Sequence, residues 1–211
     1  MDVLIIGAGG VASYLLPVLL RTFREDKFIV MDGDTLEERN LDRQQFSPDY
    51  IGENKAEALT KTQMSAMTDF IPRFFRGSAH ELGDYAKTIF YIICVADNHE
   101  ARKNALALAD DLGKPVFIAA NELFDSEAYV YLPQWKGTPR DPRVLFPNIL
   151  TDTTGSPLHC QEQQEASPQL ALANFAGAAK LACMVWRWIE KSDKDNKVHF
   201  VHENIYEVVC T

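Results

Sequence analysis

Val3-Leu4-Ile5-Ile6-Gly7-Ala8-Gly9-Gly10-Val11-Ala12 decides the fold. Four apolar, largely β-branched residues run straight into a glycine turn. A strand buried on both faces of a parallel sheet reads this way. Gly7-x-Gly9-x-x-Ala12 matches the G-x-G-x-x-G/A pattern between a strand and a helix, with Gly10 in the same turn. Glycines let the backbone approach a phosphate, and the helix behind them directs N–H donors and a positive dipole end at it. Asp32 closes the next apolar run, Phe28-Ile29-Val30-Met31, about 20 residues beyond the pattern, where an acid accepts from ribose hydroxyls. The turn alone does not separate NAD, FAD and ATP.

Outward from this stretch, strands and helices alternate. Val11 to Arg24 is predicted helical, with Val11, Leu15, Val18 and Leu19 on its apolar side and Pro17 as a kink. Residues 33–52 form a polar loop long enough to be functional. A helix is expected over Glu53–Met67, a strand over Phe70–Phe75 interrupted by Pro72, a strong strand over Thr88–Val95 and a helix over Asn98–Leu112. Val116–Ala119 and Ala128–Leu132 read as strands. Residues 133–168 are rich in Pro, Gly, Thr and Gln without a period. Leu170–Ile189 reads as a largely buried helix, and Val198–Val201 with Ile205–Val209 as a terminal hairpin. The alternation predicts a Rossmann-like α/β fold: a mostly parallel sheet with flanking helices, extended by antiparallel strands on the C-terminal side.

Composition narrows the function. A chain of 211 residues is one domain, 1–211. Its net charge of −9 argues against gripping a nucleic-acid backbone. No apolar run approaches the ~20 residues of a membrane span, and no basic segment precedes the first strand as in a signal peptide. Cys94, Cys160, Cys183 and Cys210 stand apart without a CxxC pair, so neither a zinc site nor a disulfide framework is expected. The expectation is a cytoplasmic protein with reduced thiols, Cys94 and Cys183 lying in the core.

The loop after the second strand points away from NAD. Asp32-Gly33-Asp34 sets a second carboxylate beside a phosphate site, which needs a compensating cation. Mg²⁺ binds through one or two carboxylates plus substrate phosphates. Arg43 can fork onto a phosphate, and the amides of Asn40 and Gln44 can orient one. Lys55 offers a compact positive charge at a helix start. Asp97-Asn98 lies at the carboxyl end of the strong strand, the edge where open α/β sheets bind ligands. Together these residues suit a Mg–triphosphate.

The stretches Gly7-Ala8-Gly9-Gly10-Val11, Asp32-Gly33-Asp34-Thr35-Leu36-Glu37-Glu38-Arg39-Asn40-Leu41-Asp42-Arg43-Gln44, Ile51-Gly52-Glu53-Asn54-Lys55-Ala56 and Ala96-Asp97-Asn98-x-x-Ala101-Arg102 resemble the ThiF/MoeB/ubiquitin-activating (E1-like) adenylyltransferases. The likeness covers about residues 3–132, and more loosely extends to 190. It implies ATP-dependent adenylation of the C-terminal glycine of a small ubiquitin-like or sulfur-carrier protein ending in Gly-Gly, with release of pyrophosphate. By the resemblance Asp32 binds ribose, Asp34 and Asp97 manage Mg²⁺, and Asn40, Arg43 and Lys55 hold the phosphates, with Gln44 in support. Asn98 joins the nucleotide-binding set, or simply caps the next helix. A homodimer is implied as well.

Departures from the family bear on the expectation. Residues 133–168 correspond to a crossover segment over the bound protein tail; many members carry zinc-binding CxxC pairs there, and this chain does not, which implies a shortened, mobile crossover. Cys160 occupies the place of a thiol that, in some members, takes the activated carrier or sulfur; an ordinary loop cysteine is the other reading. The chain begins at the first strand, where family members have an extension giving an arginine to the neighbouring subunit, and Arg140 and Arg143 are the substitutes to examine. It is also too short for the additional domains of eukaryotic ubiquitin-activating enzymes. Competing readings are an NAD-dependent oxidoreductase and a non-catalytic nucleotide-binding subunit.

Overall fold

The computed structural model describes residues 1–121, 125–151, 171–190, 200–204 and 207–210. Its strands are β1 (Asp2–Ile6), β2 (Lys27–Met31), β3 (Thr68–Ile71), β4 (Ile89–Cys94), β5 (Val116–Asn121), β6 (Asp125–Tyr131), β7 (Phe200–Asn204) and β8 (Glu207–Cys210). They join one sheet in the order β3-β2-β1-β4-β5-β6-β7-β8. Pairing is parallel from β3 to β5 and antiparallel from β5 to β8. The helices are α1 (Gly10–Thr22), α2 (Lys55–Gln63), α3 (His99–Leu112), α4 (Pro142–Leu145), α5 (Asn148–Thr151) and α6 (Ala171–Glu190).

The unbroken apolar strands are explained by the two cores they separate. Successive side chains point to opposite faces. Val3, Ile5, Phe28, Val30, Tyr91, Ile93 and Phe117 face α1, α2 and α6. Leu4, Ile6, Ile29, Met31, Ile92, Cys94 and Ile118 face α3. A strand covered on both sides has no solvent face on which to place polar residues. No helix among the described residues is long and apolar enough to cross a membrane.

Several expectations shift. β3 stops at Ile71 because Pro72 has no N–H with which to extend the ladder. α2 is shorter than expected, closing at Met64 in the left-handed conformation (φ 47°). α1 runs through Pro17 and buries Leu15, Leu16 and Leu19, while Val18 is exposed. α6 is one-sided rather than buried: Ala173, Leu181 and Val185 pack inward, whereas Leu172 and Phe175 are exposed. Cys183 lies on its outer side, correcting its assignment to the core; Cys94 is buried as expected.

Residues 133–151, expected to be irregular, contain the 3₁₀ turn Pro133–Trp135 followed by α4 and α5. Arg143 on α4 clamps them. Its guanidinium donates to Asp110 Oδ2 (2.8 Å), Asp141 Oδ1 (2.8 Å) and Tyr131 Oη (2.6 Å). Residues 152–168 and Cys160 lie outside the described residues.

Candidate active site

The carboxyl ends of β1, β2 and β4 surround a cavity of about 350 Å³, within the range of ligand pockets. The glycine turn forms one wall. Gly7 has φ +98°, and a Cβ there would stand 2.8 Å from the backbone nitrogen of Ala96, so both the conformation and the space require glycine. Gly9 has open space around its Cβ position, leaving room for a ligand to approach the turn. Gly10 starts α1.

Asp32 is fixed from two sides. The amide of Ala8 donates to its Oδ2 (2.6 Å), and that of Asp34 to its Oδ1 (2.7 Å). Burial, and then the charge of Asp34, push its carboxyl above the usual carboxylate range despite Lys55 and the two amides. A half-buried acid already serving as acceptor suits a hydroxyl-bearing ligand.

Asn54 organises the next part of the site. Its Oδ1 caps α2 by accepting from the amides of Ala56 (2.9 Å) and Glu57 (3.3 Å). Its Nδ2 donates to the carbonyls of Asp32 (2.9 Å) and Asp34 (3.1 Å). One side chain thus joins the start of α2 to the acidic loop and sets Lys55 against Asp34, with Nζ 3.1 Å from Oδ2. The loop between them closes on itself through Leu36 and Glu53, and Leu36 and Gly52.

Of the residues singled out in the sequence, Gly7, Gly9, Gly10, Asp32, Asp34, Gln44, Lys55, Asp97 and Asn98 line this one cavity. Asn98 Oδ1 also caps α3, accepting from the Ala101 amide at 2.7 Å. Asn40 and Arg43 do not line it. Asn40 is buried within the 3₁₀ turn Glu38–Asn40, its Oδ1 accepting from the Glu37 amide at 3.0 Å. The Arg43 guanidinium donates to the Arg39 carbonyl at 3.4 Å. Arg140 stacks over Trp135 and Arg143 is held by its clamp, so neither is in the lining.

The structure adds Phe74, Arg76, Glu100 and Asn121 to the walls. Phe74 lies against Gly33, where a Cβ would meet its ring at 2.5 Å. Phe74 and Arg76 come from the irregular chain after β3, whereas Glu100 lies in the first turn of α3 and Asn121 ends β5; no pattern in the sequence marks any of the four as a site residue. Asn54 did carry a signal, an N-cap residue just before a helix.

The donor set fits a magnesium nucleotide. Asp32, Asp34, Asp97 and Glu100 stand against Lys55 and Arg76 in the lining, an excess of carboxylate that would repel a bare triphosphate. Among the described residues no three His, Cys, Asp or Glu side chains gather as a metal centre. Mg²⁺ shared between Asp34, Asp97 and phosphates needs no such cage. Gln44 is 7% exposed, and its Oε1 has no hydrogen-bond partner among the described residues. A buried amide oxygen of this kind is costly unless a ligand donates to it.

Comparison with known proteins identifies the family and the fold. The ThiF family model matches residues 1–202. The chain belongs to the ThiF family. No curated protein matches the sequence significantly. Among solved structures it is similar to E. coli MccB crystallised with MccA-N7isoASN (TM-score 0.73, 20% identity), covering all of this chain and 63% of that one. E. coli MccB with ATP gives a TM-score of 0.67 at 20% identity, covering 100% of this chain and 62% of that one. PaaA gives 0.70 at 18% identity, with 100% and 62% covered. At these identities the likeness shows the fold, and this ThiF chain spans about three fifths of the length of those proteins.

Proposed function

We propose that this ThiF-family protein is an ATP-dependent adenylyltransferase acting on the C-terminal glycine of a small ubiquitin-like or sulfur-carrier protein. The observation that carries the reading is the convergence of the glycine turn, Asp32, the Lys55–Asp34 pair and Asp97 on one cavity. MccB, similar in fold, has been solved with ATP and, as a microcin C7 biosynthetic enzyme, with N-formylated MccA.

The chemistry follows from charge. The carrier's terminal carboxylate attacks the α-phosphorus of ATP. A carboxylate-oxygen–phosphorus bond forms, the bond from the α-phosphorus to the bridging oxygen breaks, and pyrophosphate leaves with the electron pair. The nucleophile is already ionised, so no general base is required. The obstacle is an anion approaching a polyanion, and positioning with charge neutralisation removes it. In this reading Asp32 holds the ribose, the amides of the glycine turn and Lys55 hold phosphate oxygens, and Arg43 swings in from its Arg39 contact. Mg²⁺, held by Asp34 and Asp97, supplies positive charge at the phosphates when bound. A dependence on ATP suits the cytoplasm.

The test is carrier-dependent ATP–pyrophosphate exchange. Arg43→Ala, Lys55→Ala and Asp97→Ala should each abolish it without unfolding the protein. Exchange near the wild-type level in all three would sink the assignment. The position of Arg43 outside the cavity lining favours one second reading, a nucleotide-binding subunit without turnover. Tight Mg-ATP binding with no exchange for any Gly-Gly carrier would select it.

A further inference from the structure

We propose that Asn174, on α6, is a positioning residue that holds the Arg43–Gln45 loop against the glycine turn and so presents Gln44 to the cavity. Asn174 is fully buried in an otherwise apolar stretch, Ala171-Leu172-Ala173-Asn174-Phe175-Ala176. A polar side chain in such a place is retained only where its hydrogen bonds are made. Its Nδ2 donates to the Arg43 carbonyl at 3.0 Å, and its Oδ1 accepts from Asn121 Nδ2 at 2.6 Å. These partners lie 131 and 53 residues away in sequence, so one amide ties α6 to both the loop and the end of β5.

The glycine turn makes room for that amide. A Cβ on Gly10 would fall inside the Asn174 side chain, so glycine at this position serves the packing of α6 as well as the turn. One helical turn later, at Gly177, the neighbours of a Cβ would be at ordinary contact distances of 3.6 Å or more. The close approach is therefore local to Asn174.

The loop is held a second time from α1. Ser13 Oγ accepts from the Gln45 amide at 2.9 Å and donates to the Gly10 carbonyl at 2.7 Å. Fixing the Arg43 carbonyl and the Gln45 amide fixes the backbone on both sides of Gln44, whose buried Oε1 lacks a donor among the described residues. Asn174 never enters the cavity lining, so its effect on a ligand passes through the lining residues it holds, Gln44 by way of the loop and Asn121 directly. The consequence for nucleotide binding rests on the adenylation reading. The holding of the loop does not.

Asn174→Asp tests both parts. An ionised aspartate still accepts from Asn121 but cannot donate to the Arg43 carbonyl. In hydrogen exchange monitored by mass spectrometry, amides of residues 44–46 should exchange at least tenfold faster in the variant, with β1 and β4 unchanged. Calorimetric titration should show the Kd for Mg-ATP rising tenfold or more. Where a buried charge prevents folding, Asn174→Ala buries none and removes the same donor; it also removes the acceptor of Asn121, so for that variant the exchange of residues 44–46 decides and the affinity does not. Wild-type exchange in residues 44–46 of a folded variant, or faster exchange spread evenly over the sheet, would overturn the inference. So would unchanged Mg-ATP affinity in a variant whose wild-type parent binds. A wild-type protein that binds no Mg-ATP would sink the adenylation reading, and the exchange comparison alone would then decide the role of Asn174.

Discussion

Lys55 Nζ stands 3.1 Å from Asp34 Oδ2, with the lysine side chain only 9% exposed and the aspartate 37% exposed. The two partners therefore depend on the pair unequally. Removing Asp34 strands a nearly buried ammonium, whereas removing Lys55 leaves a carboxylate that water can still reach. We expect Asp34→Ala to cost about 1–3 kcal/mol in urea denaturation and Lys55→Met to stay within about 1 kcal/mol. Both should weaken Mg-ATP binding at least tenfold in calorimetry. Equal destabilisation by the two substitutions would show that the asymmetry of exposure has no energetic consequence.

Asp32 gives the site a pH dependence. Burial first, and the charge of Asp34 second, hold its carboxyl above the usual range. An acid raised in this way contributes stability below its unfolded pKa of about 3.9, and that contribution is lost as pH rises through the folded value. The ionised form is the stronger acceptor for ribose hydroxyls, so nucleotide affinity has the opposite trend. On acidification, Mg-ATP affinity should start to fall above the ordinary carboxylate range, and Asp32→Asn should flatten that part of the profile. Calorimetric titrations from pH 5 to 8 on both proteins would check it. Superimposable profiles with retained binding would remove Asp32 from the ribose role.

The clamp on α4 carries the opposite sign. Burial opposes ionisation of Asp110, but donors from Arg143, Lys136 and Tyr131 outweigh it and lower its pKa. Asp141 is lowered in the same way by Arg143 and by the amides of Gly137 and Arg143, again against burial. Such carboxylates stabilise the fold above their unfolded pKa of about 3.9, and this is lost as pH falls through the depressed folded values. Arg143→Met should cost about 2–4 kcal/mol at neutral pH, because two largely buried carboxylates lose their main partner. It should also make stability less steep in acid. An unchanged acid limb in guanidinium denaturation would show that the clamp does not govern acid unfolding.

The central sheet was legible because β1, β2, β4 and β5 each carry an unbroken apolar run, and the glycine turn and Asp32 follow from spacing alone. Less legible were features set by packing between distant segments. Val18 looked internal by helical spacing, yet α6 covers a different stripe of α1. Cys183 looked buried because its helix is mostly apolar, but only one side of that helix has a partner among the described residues. The site divides in the same way. Asp32, Asp34 and Lys55 sit in one continuous stretch with recognisable chemistry, whereas Phe74 and Arg76 come from a loop without a pattern. Asn174 reaches the site across 131 residues. Asn40 lies outside the cavity lining for a physical reason: an amide suited to orienting phosphate is equally suited to capping a 3₁₀ turn, and here its oxygen serves the Glu37 amide.

Two glycines of the cavity wall should respond differently to one added methyl group. At Gly7 the φ of +98° is strained for any L side chain, and the Cβ would press on the backbone of Val95 and Ala96. Backbone cannot rotate away, so Gly7→Ala should cost at least about 1–3 kcal/mol from strain alone and should abolish Mg-ATP binding. At Gly33 the φ is not in the left-handed region, and the obstacle is the ring of Phe74, an exposed side chain that can turn aside. Gly33→Ala should therefore stay within about 1 kcal/mol of wild type while displacing the ring from the wall. Nucleotide affinity should then change without a matching change in stability. Thermal denaturation and calorimetric titration on both variants separate the two effects. A Gly33→Ala protein as destabilised as Gly7→Ala would mean that the Phe74 ring is held rigidly, and that this wall belongs to the packed core.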